Sequence, residues 1–263
     1  MANGAPGGVL REVAKWGAEQ VLWRRVALQR AIEARSGRPR SKPETTSPTA
    51  VLSTSGDWEH AVRQLRALKL PLHRDRPKNW DALAALSFVL ENVKPTGAVL
   101  DAGCARYSTL LPSLRLYGFT DLFGNNLEWS RESHHGPVRL VPGDMTATAF
   151  PDSRFDAITC LSVIEHGVPI KGFLIEAARL LRPGGVLFIS TDYDQDPPDT
   201  TGKTAYGQPV HIFSPDEIKA IVNEAGDAGL RLIGDLTLEH THRPVHWPRV
   251  GIDYTFISLG FRK

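Results

Sequence analysis

The sequence predicts an α/β protein built on a doubly wound sheet of about seven strands, mostly parallel with an antiparallel last strand, preceded by an N-terminal helical extension. Three observations predict it. From Ala98 onward, short apolar runs alternate with amphipathic helical stretches, the pattern of βαβ units covered on both faces. The last two apolar runs have no helical pattern between them, because residues 239–253 are crowded with proline and histidine, so they read as an antiparallel closing pair joined by a long loop. The chain has 263 residues, of which 41% are hydrophobic and 23% charged, enough apolar content for a substantial core.

Taken in order, Val9 to about Ala34 carries apolar residues at mixed three- and four-residue intervals (Val9, Val13, Trp16, Leu22, Val26, Leu28, Ile32) interleaved with Arg and Glu, an amphipathic helix. Residues 36–56 are rich in Ser, Thr and Pro without periodicity and read as a linker or mobile loop, dividing a basic head (1–56) from the main domain (57–263). Asp57 can cap a helix with Trp58, Ala61, Val62, Leu65 and Leu68 on its apolar side, and Asn79 can cap a second with Trp80, Leu83, Leu86 and Leu90. Between them, residues 71–77 supply a charged loop closed by prolines. Strands are expected near 98–102, 119–124, 138–141, 155–161, 185–190, 231–238 and 254–261, and helices over 170–182 and 215–228. The last helix opens with Ser214 at the cap, Pro215 at the first helical position and Glu217 three residues after the cap.

Charge and cysteine content narrow the function classes. The formal charge is +2, far from a dedicated nucleic-acid binder, so no nucleic-acid partner is expected. The excess is local: residues 1–43 hold nine Lys/Arg against Glu12, Glu19 and Glu33, leaving residues 44–263 at −4. This basic helix is either a surface element that touches acidic lipid or a second subunit, or a plain helix packed on the body, and the three interrupting glutamates favour the plain helix. Only Cys104 and Cys160 occur, both in apolar runs, which excludes a disulfide framework and suits a reducing compartment. No transmembrane or exported segment is read, and a cytoplasmic location is expected.

The chemistry concentrates at strand ends. Val99-Leu-Asp-Ala-Gly-Cys-Ala-Arg-Tyr-Ser108 is an apolar run that ends in Asp101 and a turn at Gly103, the end at which open α/β sheets bind ligands. This stretch resembles the first motif of class I S-adenosylmethionine-dependent methyltransferases, an acid followed by alternate glycines, with Ala105 and Tyr107 standing at the second and third glycine positions. Asn126, beside Asn125, matches the position of the acid that holds the ribose in that family, and Asp144 with Met145 matches the adenine contacts. Phe150 to His166 and Ala177 to Ser190 resemble the segments around the fourth and fifth strands, so that the resemblance covers about residues 80–262 and implies a Rossmann-like fold with S-adenosylmethionine contacted by Asp101, Gly103, Ala105, Asn126, Asp144 and Met145.

The acceptor side is read from polar residues on the same rim. A neutral imidazole at His166, beside Glu165, can take a proton from a hydroxyl, with Asp192 or His211 as substitute bases. Glu165, Asp192 and Asp194 could form an oxygen cage for Mg²⁺. Asp156 reads as structural, and His240, His242 and His246 lack cysteine partners for zinc and read as loop residues. With Glu165, Tyr193 and Trp247 as substrate contacts, the reading is O-methylation of a small polar acceptor, a sugar or glycosylated metabolite. The alternatives are a quinone-like or lipid acceptor, or a catalytically inactive fold that binds a partner. The N-terminal helix would serve as lid, homodimer contact or membrane-facing element.

Overall fold

The computed structural model describes residues 6–36, 40–205 and 207–263 and, within the first helix, the side chains at 17, 19–33 and 35. The side chains of Val9, Arg11, Glu12, Val13, Lys15 and Trp16, on which part of the basic-helix reading rests, lie outside the described residues. Helix α1 (Pro6–Ser36) is followed by a short strand β1 (Ala50–Val51) and by α2 (Ser55–Ala67) and α3 (Asn79–Asn92). The alternating body is β2 (Ala98–Ala102), α4 (Leu110–Leu116), β3 (Asp121–Asn126), β4 (Ser133–His135), β5 (Val138–Pro142), β6 (Phe155–Leu161), α5 (Ile170–Leu180) and β7 (Leu181–Tyr193). A small hairpin, β8 (Thr204–Ala205) and β9 (Gln208–Pro209), precedes α6 (Pro215–Asp227), and β10 (Arg231–Leu232), β11 (Val245–Trp247) and β12 (Ile252–Arg262) close the chain.

Five strands are parallel in the order β5-β3-β2-β6-β7, with β12 antiparallel on β7 and β4 antiparallel on β5. Alternate residues of each strand face opposite layers. Val99, Leu122, Ala157, Val186 and Phe188 pack beneath α1 to α4, whereas Leu100, Phe123, Ile158, Leu187 and Ile189 pack beneath α5 and α6. The near-continuous apolar runs of β2, β6 and β7 follow from this two-sided burial.

Capping boxes open α2 and α6. Ser214 and Glu217 form the expected capping box, with the Ser214 N–H donating to Glu217 Oε2 at 2.8 Å. Two caps differ from expectation. Thr54 caps α2, and Asp57 accepts the Thr54 N–H at 2.7 Å from the third helical position. Lys78 precedes α3, while the Asn79 side chain is turned back into the 73–76 loop, accepting from the His73 N–H at 2.8 Å and donating to the Arg76 carbonyl at 2.9 Å.

The far edge of the sheet departs most from the sequence reading. The strand expected over 231–238 shortens to β10, and the outer edge of β12 is covered by three short pieces: β11 opposite Ile252–Tyr254, β1 opposite Ile257 and Ser258, and β10 opposite Phe261 and Arg262. The segment read as a linker therefore contributes a strand. The Thr49 hydroxyl donates to the Ile233 carbonyl at 2.8 Å, the Leu52 N–H donates to the Phe256 carbonyl at 2.9 Å, and Leu52 is fully buried. Among the described residues no helix is long and apolar enough to cross a membrane.

Leu52→Ala should lower the unfolding free energy by about 2–5 kcal/mol, the cost of a cavity in a packed core. Urea denaturation checks this, and an unchanged midpoint would mean that the segment is not part of the cooperative fold.

Candidate active site

The turn after β2 is built on one obligatory glycine. Gly103 has φ of +71°, and a Cβ there would lie 2.5 Å from Val163 Cγ1. Residues 105 and 107 are not among the positive-φ positions, so Ala105 and Tyr107 fit without strain. Tyr107 stands half-exposed at the cavity mouth with its ring 6.2 Å from that of His73.

Two asparagines at the end of β3 clamp this turn. Asn125 Oδ1 accepts the Gly103 N–H at 3.2 Å. Asn126 Nδ2 donates to the carbonyls of Gly103 and Cys104, each at 3.1 Å, and its Oδ1 accepts the Glu128 N–H at 2.8 Å. The Asn126 amide is thus committed to the turn, and the carboxylate that lines the cavity nearest to it in sequence is Glu128, which the sequence reading missed. Asp101 accepts from the hydroxyls of Ser108 at 2.9 Å and Thr159 at 2.8 Å, yet burial pushes its carboxyl up to about 6.

A cavity of about 480 Å³ opens at the carboxyl ends of β2, β3, β5 and β6. One wall holds Asp101, Gly103, Ala105, Asn126, Asp144 and Met145, the whole expected cofactor set. The rest of its wall holds His166, as expected, together with Lys78, Asp81 and Ser162, none of which the sequence reading singled out. Asp81 lies three and four residues before Ala84 and Ala85 on the buried side of α3, and an acid on an apolar stripe was the available signal.

Behind that wall lies a buried charge cluster. Asp81 Oδ2 accepts from the Ser190 hydroxyl at 2.7 Å and the Ser162 hydroxyl at 3.3 Å. Glu165 Oε2 accepts from the Thr191 hydroxyl at 3.0 Å, and Asp192 is hydrogen-bonded to Tyr254. Burial raises the pKa of all three acids, Glu165 to about 6 and Asp192 well above the carboxylate range, while the Lys78 ammonium pulls each of them down. Lys78 keeps its proton because the surrounding acids outweigh its burial. His166 is pushed the other way, down to about 4, by burial and by Lys78, so its imidazole is neutral near pH 7. Ser162 has φ of +51°, strain located where β6 delivers its end to the cavity.

The remaining expected site residues are not assembled there. Glu165 and Asp192 sit beneath the wall rather than in it. Asp194 accepts from Arg243 Nε at 2.7 Å and Nη2 at 2.9 Å, because β7 ends at Tyr193 and the chain turns away from the sheet. Among the described residues no three His, Cys, Asp or Glu side chains are grouped to hold a metal ion, and the Mg²⁺ cage of Glu165, Asp192 and Asp194 does not form. His211 is exposed and bonded to Glu217 at 3.0 Å. The Tyr193 hydroxyl donates to the Leu238 carbonyl at 2.7 Å, and Trp247 packs near Tyr254, both outside the cavity. Asp156 is structural as expected, accepting the Ala98 N–H at 2.7 Å and Arg182 at 2.6 Å.

The Asp101 shift has a consequence for stability. Its carboxyl binds a proton more tightly when folded (about 6) than at its ordinary value of 3.8, so its contribution is most favourable below about pH 4 and is lost as pH rises through 6. Asp101→Asn should therefore gain roughly 2–3 kcal/mol over the parent between about pH 4 and about pH 8. Urea unfolding at both ends of that window checks this, and a difference that does not vary with pH would contradict it.

Comparisons with known proteins bear on the fold that carries this cavity. Residues 100–189 match a methyltransferase domain family. A sterol 24-C-methyltransferase of Gibberella zeae is 30% identical over 40% of this chain and 31% of its own length. A ubiquinone biosynthesis O-methyltransferase of Xylella fastidiosa is 32% identical over 52% of this chain and 55% of its own. The chain thus spans only about a third to a half of the curated relatives it matches. An S-adenosylmethionine-dependent methyltransferase from Mesorhizobium loti superposes with a TM-score of 0.52 at 15% identity, over 71% of this chain and 98% of that one, and shares the fold. The stretch from β2 into β7 thus matches a methyltransferase domain family, and the described structure shares the fold of an S-adenosylmethionine-dependent methyltransferase.

Proposed function

We propose that the chain transfers a methyl group from S-adenosylmethionine to a hydroxyl of a small, largely apolar acceptor, with Asp81 receiving the proton that the hydroxyl releases. The observation that carries this reading is the position of Asp81, a buried carboxylate with a raised pKa in the lining of the same cavity as the Asp101–Gly103 turn. When bound, S-adenosylmethionine supplies a methyl carbon activated by its sulfonium. The residues of the near wall suit that ligand chemically: Asp101 and the Gly103 turn for the amino-acid end, Glu128 for ribose hydroxyls now that Asn126 is engaged, and Asp144 with Met145 for the base.

On the far wall, the hydroxyls of Ser190 and Ser162 fix the Asp81 carboxylate, and Lys78 keeps it ionisable despite burial. The raised pKa makes Asp81 a stronger base than an exposed aspartate. His166, neutral but of low basicity, serves to orient the hydroxyl. Leu161, Val168 and Pro169 add apolar lining to the cavity, with Val163 against Gly103, and exclude water.

An apolar acceptor replaces the sugar expected from the sequence. That expectation rested on a rim of Glu165, His166, Asp192, Asp194 and His211, and of these only His166 lines the cavity. The names of the sterol and ubiquinone-pathway relatives point the same way. Transfer of labelled methyl from S-adenosylmethionine to a panel of phenols, quinols, sterols and sugars tests the acceptor class, and methylation of sugars alone would refute it.

With the acceptor so found, Asp81→Asn should lower kcat by ~10²–10⁴-fold while leaving S-adenosylhomocysteine binding intact. The parent kcat/KM should rise with pH on a limb above the ordinary aspartate value of about 4, and the variant should lack that limb. A kcat within a few-fold of the parent would remove Asp81 from this role.

A further inference from the structure

We infer that the outward face of α1 docks on an anionic lipid surface. Val21, Leu28 and Ile32 are 61%, 64% and 59% exposed, and their spacing of seven and four residues puts them on one stripe about 17 Å long. Among the described residues seven large hydrophobic side chains are exposed, and three of them share this stripe. Arg24, Arg25 and Arg35 flank it, all exposed and without an ion pair among the described residues.

The two described glutamates that interrupt the positive charge in the sequence, Glu19 and Glu33, do not break this face. Glu19 is buried on the opposite side, 2.7 Å from His135 and 3.6 Å from Arg106. Glu33 is held by Arg40 and by Gln29 at 3.1 Å. The inner side is closed by Trp23, stacked on His135 with ring centroids 4.8 Å apart, and by buried Val26. Among the described residues the outward face is therefore apolar along its centre and cationic along its flanks, complementary to acyl chains beneath phosphate headgroups. A second copy of this chain fits it poorly, because self-pairing of the stripe sets arginine against arginine with no acid among the described residues of the stripe to compensate.

Co-sedimentation of the full chain with vesicles tests the inference, using phosphatidylcholine alone or phosphatidylcholine with about one-third phosphatidylglycerol. The chain should bind the anionic vesicles and be released by high salt. At roughly fivefold per basic residue, an R24E/R25E/R35E variant should lose on the order of a hundredfold in partitioning. An L28S/I32S variant should lose at least about tenfold through the apolar term. All five side chains are exposed, so both variants should keep the parent melting temperature. Absence of binding to anionic vesicles, or binding retained by either variant, would overturn the inference. So would a concentration-dependent dimer in sedimentation velocity that L28S/I32S dissolves while vesicles are ignored.

Discussion

Three carboxylates, Asp81, Glu165 and Asp192, meet a single ammonium, Lys78, in the interior where β6 and β7 end and α3 begins, and the architecture of the site depends on that meeting. Buried carboxylates are costly unless paired and hydrogen-bonded. Here hydroxyls from Ser162, Ser190, Thr191 and Tyr254 offset part of the cost, and burial raises the pKa of Asp192 well above its ordinary value. The arrangement works only if the start of α3 sits over the ends of β6 and β7, which is the placement that closes the far wall of the cavity. Charge neutralisation, helix position and cavity shape are one constraint.

The near wall follows a different logic. In this turn the missing glycines are not a loss, because only residue 103 adopts a conformation that excludes side chains. The more consequential departure is at Asn126. Its amide exchanges the charge of a carboxylate for two donated hydrogen bonds to the turn, and with Asn125 it cross-links β3 to the loop after β2. The turn is rigidified by protein contacts, while a carboxylate remains within the same cavity at Glu128.

Much of the parallel sheet was legible in the sequence because two-sided burial produces apolar runs that need no tertiary information. The strands expected at 98–102 and 155–161 coincide with β2 and β6, and β12 lies antiparallel on β7. The edge was not legible, since which short polar segment covers β12 is a question of long-range pairing, and β1 comes from a stretch whose composition reads as linker. The lining residues Asp101, Gly103, Ala105, Asn126, Asp144 and Met145 could be read from order along the chain, because each lies at or just beyond the carboxyl end of a strand. The rest of the lining could not. Asp194 and His211 are near in sequence to that rim, but their directions depend on where the chain leaves the sheet, while Lys78 and Asp81 arrive from a helix that sequence alone places only by its cap. The same limit affected α1, where residue counting showed three interrupting glutamates but not that Glu19 is buried against His135 and Glu33 is paired with Arg40.

Calorimetric titration of the full chain with S-adenosylhomocysteine tests most directly whether the cavity between the Gly103 turn and the Lys78–Asp81 wall is a cofactor site. A single saturable binding isotherm is the expected result. Absence of any binding heat across temperatures would contradict the account and favour a methyltransferase-like fold that has kept its architecture for a different purpose.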